Sequence, residues 1–133
     1  MVQAYPYDMP DKAVLDRIRA VLESGEIDSF AALLASDVTW GAPGSTNPPC
    51  KSDRDVLKWY QRGFDRGVRG RVVEVSPFGD NVLVGMMVSG SSSAGTGGEV
   101  EGWQVLALSE GLVKDIRGYE SRASAVAAAE RSS

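Results

Sequence analysis

RVVEVSPFGDNVLVGMMVSG (Arg71–Gly90) and VEGWQVLALSEGLVKDIRGY (Val100–Tyr119) decide the fold of this chain. Both stretches are rich in Val, Leu and aromatic residues, and their apolar positions recur with a period near two, the mark of strands with one buried face. The pattern predicts four strands: Arg71–Phe78, Val82–Gly90, Val100–Leu108 and Leu112–Tyr119. Gly79-Asp80-Asn81 and Ser109-Glu110-Gly111 supply tight turns. SGSSSAGTGG (Ser89–Gly98) reads as a flexible hairpin loop, not a domain linker. Four successive strands on short connections form an antiparallel meander.

Upstream the period is helical. Val14, Ile18, Val21 and Leu22 share one face, with Asp11 as N-cap after Pro10 and Gly25 as the stop. Asp28 can cap a short second helix carrying Phe30, Leu33 and Leu34. Asp37–Trp40 reads as a short strand, and GAPGSTNPP (Gly41–Pro49) forbids regular structure. Ser52-Asp53-Arg54-Asp55 opens a third helix with Val56, Tyr60 and Phe64 on one face, ended by Gly67 and Gly70. The tail from Ser121 can form a weak terminal helix that frays. Three helices followed by a curved antiparallel sheet make an α+β domain spanning residues 1–133, with no internal repeat.

The chain has 133 residues, enough for one core without covalent staples. It contains no histidine and one cysteine, which excludes Ser-His-Asp and Cys-His machinery, histidine-bearing zinc sites and an internal disulfide. No metal or cofactor is expected. A net charge of −4 disfavours nucleic acid and anionic membranes. No apolar run approaches the roughly 20 residues that span a bilayer, and Met1–Asp11 lacks the regions of a signal peptide. A cytoplasmic protein is expected. Gly95-Thr96-Gly97-Gly98 lacks the Lys-Ser/Thr ending of a phosphate loop. Cys50, in a Pro-rich loop, reads as an inert thiol.

LESGEIDSFAALLASDVTW (Leu22–Trp40), Lys58-Trp59-Tyr60 and GLVKDIRGYES (Gly111–Ser121), in that order and spacing, anchor most of the chain. In these stretches the chain resembles the nuclear transport factor 2-like superfamily, closest to its SnoaL-like (polyketide cyclase) and ketosteroid-isomerase-like branches. The resemblance implies a cystatin-like cone, three N-terminal helices packed on a curved sheet around an apolar cavity for a hydrophobic small molecule. It places Trp40, Ala42, Met86, Val88, Gln104, Leu106, Ile116 and Gly118 on the inner face, with Ile18, Tyr60 and Phe64 from the helices. Glu101, Trp103, Val105 and Ala107 must then face outward.

The family's catalytic sets do not carry over. The isomerase base, tyrosine and second acid fall on Ala42, Ile18 and Gln104. The cyclase acid falls among Ile116, Arg117 and Gly118. Chemistry of the isomerase, cyclase or hydratase kind would run without a cofactor, and Glu120 and Asp115 are the remaining catalytic candidates. Asp115 with Arg117 supplies part of an epoxide-hydrolase-like set, against which stands a surface ion pair on the outer face. Asp37 reads as a turn or helix-terminus residue.

Ligand-binding candidates are Trp40, Tyr60, Met86, Gln104, Leu106 and Ile116. Gln104 is the leading polar one, because a buried amide needs a partner and a ligand oxygen could be it. Its alternative is an internal bond to Tyr60 or backbone. Trp59 is read as pointing to the core. Trp103, outward and exposed, would mark a homodimer face. Arg54, Lys58, Arg62 and Arg66 form a basic stripe on helix three, read as paired with Asp53, Asp55 and Asp65. The rival to a ligand-binding enzyme is a non-catalytic binding or assembly module of the same fold.

Overall fold

A computed structural model describes residues 12–43, 45–90 and 98–131. The chain runs α1 (Lys12–Ser24), α2 (Ile27–Ala31), β1 (Leu34–Gly41), α3 (Asp53–Asp65), β2 (Arg69–Phe78), β3 (Asn81–Ser89), β4 (Glu99–Ser109), β5 (Leu112–Tyr119) and α4 (Arg122–Arg131). The Asp11 cap and most of the Ser89–Gly98 loop lie outside the described residues.

Alternation produces the meander as expected: β2, β3, β4 and β5 pair antiparallel in sequence order. Two features correct the expected architecture. The sheet is mixed, because β1 runs parallel to β5 and extends the order to β1-β5-β4-β3-β2. Parallel pairing is possible here because α3 and the meander separate the two strands in sequence. The helices number four among the described residues: α3 follows β1, as the sequence order predicts, and the tail expected to fray forms α4 after the sheet. Register shifts within the β1–β5, β2–β3 and β4–β5 pairs mark bulges that curve the sheet.

Two cores lie on opposite faces. Ile18, Phe30, Leu33, Val56, Val84, Leu106 and Ile116 pack between α1, α2, α3 and the concave face. Ser52 caps α3 by accepting from the Asp55 amide at 3.2 Å, whereas α2 starts at Ile27 with Glu26 at its cap position, so Asp28 lies in the first turn and is not the cap. On the convex face Leu83, Trp103 and Val105 meet Ala125 and Ala129 of α4. The terminal segment is therefore a packed element. Its alanines let the helix approach the Trp103 ring, and that packing supplies the stability a short isolated helix lacks.

A bidentate pair ties α4 to the sheet edge: Arg122 donates to Glu74 through Nε at 2.7 Å and Nη2 at 2.8 Å. The Arg122 hydrogen bond holds the Glu74 carboxyl down to about 2, helped by Ser76 and opposed by desolvation. A carboxyl depressed in the folded state stabilises the fold above its unfolded value. That contribution is present above pH 4.5 and is lost as pH falls toward about 2. Glu74→Gln should therefore flatten this part of the acid-unfolding curve, read by circular dichroism. An acid limb identical to that of the unsubstituted protein would contradict the clamp.

Candidate functional site

The helices do not fill the concave face. A cavity of about 470 Å³ remains between α1, α2, α3 and the sheet, within the range of roughly 300–1,000 Å³ typical of ligand pockets. Its inner wall carries Ile18, Phe30, Leu33, Leu106, Val113 and Ile116. Strand alternation delivers Met86 and Val88 from β3, and Gln104 and Leu106 from β4, to this face. The Tyr60 ring packs against Phe30 with centroids 4.8 Å apart.

Trp40, Tyr60, Met86, Gln104, Leu106 and Ile116 all line the cavity, as do Ile18, Val88 and Phe64. Ala42 and Gly118 line an adjoining open cleft instead, which shares Trp40, Met86, Val88 and Gln104 with the cavity. The Gln104 amide and the Tyr60 hydroxyl have no hydrogen-bond partner among the described residues. The internal bond expected as the alternative for Gln104 is not formed among the described residues. These two half-buried groups sit among apolar lining residues, while the other polar lining residues, Glu23, Ser24 and Arg69, are exposed.

The candidate catalytic carboxylates stand elsewhere. Asp115 and Arg117 point to the convex side, where the Arg117 Nε donates to both carboxylate oxygens at 3.0 and 3.1 Å. Thr39 Oγ1 also donates to Asp115. Arg117 Nη1 donates to the Ala42 carbonyl at 2.8 Å and the Ser45 carbonyl at 2.9 Å. Asp115 and Arg117 thus pin β5 to β1 and to the loop after β1. A water-activating pair needs a free carboxylate facing the substrate, and Asp115 is neither free nor inward-facing. Glu120 is exposed on the wall of the open cleft, and Asp37 is exposed on β1. Glu23 lines the cavity and pairs with Arg19 at 3.8 Å.

Three other expectations are corrected. Trp103 does face outward with Glu101, its indole N–H donating to that carboxylate. It is only 7% exposed, however, because α4 covers it, so it offers no aromatic patch for a homodimer. Trp59 is 54% exposed at the cavity rim, since it sits about 100° around the helix from Tyr60. The basic stripe Arg54, Lys58, Arg62 and Arg66 has no ion-pair partner among the described residues. Asp53 and Asp55 accept instead from the backbone amides of Arg54 and Lys51, and Asp65 accepts from Gln61.

Cys50 is a free, buried thiol. Burial, and then the Asp55 charge, push its pKa up, and its backbone bridges to Trp40 at 3.1 and 3.3 Å. Among the described residues no group of three or more acidic or cysteine side chains could hold a metal. No described helix is long and apolar enough to cross a membrane.

A fold of this kind, a helix-backed curved sheet around an apolar cavity, defines the class of protein. The SnoaL-like domain model matches residues 15–116, and the chain belongs to that family. Solved structures agree on the fold. A protein from Kribbella flavida provisionally assigned as a ketosteroid isomerase is 20% identical, with TM-score 0.66 over 84% of this chain and 77% of that one. An uncharacterised cystatin-fold protein from Novosphingobium aromaticivorans is 11% identical, with TM-score 0.66 over 80% and 97%. The epoxide hydrolase/cyclase-like enzyme SalBIII, of pyran ring formation in the polyether salinomycin, is 13% identical, with TM-score 0.62 over 84% and 91%. No curated protein matches the sequence.

Proposed function

We propose that this chain binds a hydrophobic small molecule in the cavity, with Gln104 and Tyr60 directing the oxygen atoms of that molecule. The observation that carries the reading is the pair of unpartnered polar groups on an apolar wall. Both residues are half-buried, and a ligand oxygen that pairs with either adds a hydrogen bond worth about 0.5–1.5 kcal/mol. An amide and a phenol aimed at one carbonyl also stabilise negative charge building on its oxygen. This suits isomerisation, cyclisation or hydration, the range spanned by the names of the structural relatives. Glu23 is the one carboxylate lining the cavity among the described residues, and it is held by Arg19. Binding and polarisation, rather than proton abstraction by a carboxylate, are what the interior side chains supply.

The test uses 6-propionyl-2-dimethylaminonaphthalene, a rigid apolar ketone whose emission reports both burial and hydrogen bonding. Saturable, blue-shifted emission is expected with the unsubstituted protein. Gln104→Leu should lower affinity about five- to tenfold, the worth of one hydrogen bond, with little change in the unfolding midpoint. Unchanged affinity would remove Gln104 from the site, and no saturable binding by the unsubstituted protein would overturn the reading.

A further inference from the structure

The cavity rim carries a cation, Arg69, that has no ion-pair partner among the described residues. Arg69, the first residue of β2, lines the cavity beside Phe64, Val68 and Gly70. Its guanidinium carbon lies 3.7 Å from the centroid of the Phe64 ring, and Nη1 donates to the Phe64 carbonyl at 2.9 Å and the Val68 carbonyl at 2.8 Å. These contacts fix the guanidinium in place while leaving the Nε and Nη2 donors unused among the described residues. Arg69 is exposed, and the ring stack helps to orient its guanidinium at the rim. Glu23 is the acidic residue on the same cavity wall, and it pairs with Arg19 on its own helix. Glu120 lines the adjoining open cleft.

From this arrangement we infer that the ligand is amphipathic: an apolar body fills the cavity and an anionic oxygen head, of the carboxylate class, docks on Arg69. The inference rests on the binding reading above and adds the charge of the ligand and the residue that selects it. A guanidinium held by two carbonyls keeps a planar pair of donors directed outward, the geometry that meets an oxyanion through two bonds. Preorganisation matters, because a freely rotating arginine would lose side-chain entropy on binding and gain little at a wet rim.

Two probes with the same body separate the ideas. N-phenyl-1-naphthylamine is neutral, and 8-anilinonaphthalene-1-sulfonate is that molecule with an oxyanion added. Fluorescence titration should show the sulfonate binding about tenfold more tightly than the amine. Arg69→Gln should erase that preference while leaving the neutral amine's affinity unchanged. Arg62→Gln, on the exposed face of α3, should leave both affinities as they were, which separates the rim from general attraction to basic surface. If the amine binds but Arg69→Gln does not alter the preference, the anionic head is disproved and the cavity reading stands. If neither probe binds, the cavity reading falls and this inference falls with it.

Discussion

Gly85→Ala should destabilise the fold by about 3 kcal/mol, the upper part of the range for overpacking a closed core. A Cβ built on Gly85 would lie 2.2, 2.5 and 2.8 Å from three ring carbons of Trp103, its cross-strand partner. Real contacts of that kind do not occur, so something must move. The indole is rigid, 7% exposed, and closed in by Ala125 and Ala129 of α4. Displacing it therefore lifts α4 from the convex face. Gly85 does not have a positive φ, so the cost is steric and not conformational. In a calorimetric scan the variant should melt about 10 °C lower. Trp103→Leu in the same background should recover part of that loss, because the two substitutions share one contact and so couple. A melting temperature within about 2 °C of the unsubstituted protein would contradict the packing of Trp103 beneath α4.

Leu106→Trp should have the opposite character, with little effect on stability and a large effect on binding. Leu106 is 5% exposed and lies on the cavity wall, opposite the helices. A larger side chain normally strains a packed core by about 1–3 kcal/mol. Here the added ring can enter a space of about 470 Å³, which replaces void with dispersion contacts. The unfolding midpoint should hold steady or rise, and the affinity for N-phenyl-1-naphthylamine should fall by at least about tenfold, or 1.4 kcal/mol. Retained affinity would place the probe somewhere other than this cavity.

These two substitutions mark the boundary between what could be read from sequence and what could not. The strands of the meander were legible because alternation is a local property: Leu112–Tyr119 is observed with the expected ends, and Gln104 and Leu106 fall on the face opposite Trp103. Ser52 was legible because a capping hydroxyl acts over three residues. Partner choice is not local. Nothing within Leu34–Gly41 says that it will run parallel to β5, since that pairing depends on residues some seventy positions away. The tail AVAAAERSS shows no apolar stripe of large side chains, yet its small residues suit it to lie against an indole. That missed packing is why Trp103 read as exposed. The polar interior of the site was partly legible through Gln104. Arg69 was not, because its role comes from the Phe64 ring and two carbonyls that the chain brings together only at the end of α3.

The central claim is that the concave cavity holds an apolar molecule. Methyl-region NMR titration with N-phenyl-1-naphthylamine tests it most directly, because the two cores carry separate methyl groups. The account predicts saturable shifts at Ile18, Leu106, Val113 and Ile116, with Leu83 and Val105 beneath α4 left unmoved. Shifts confined to Leu83 and Val105, or no saturable shift at the cavity methyls, would contradict it.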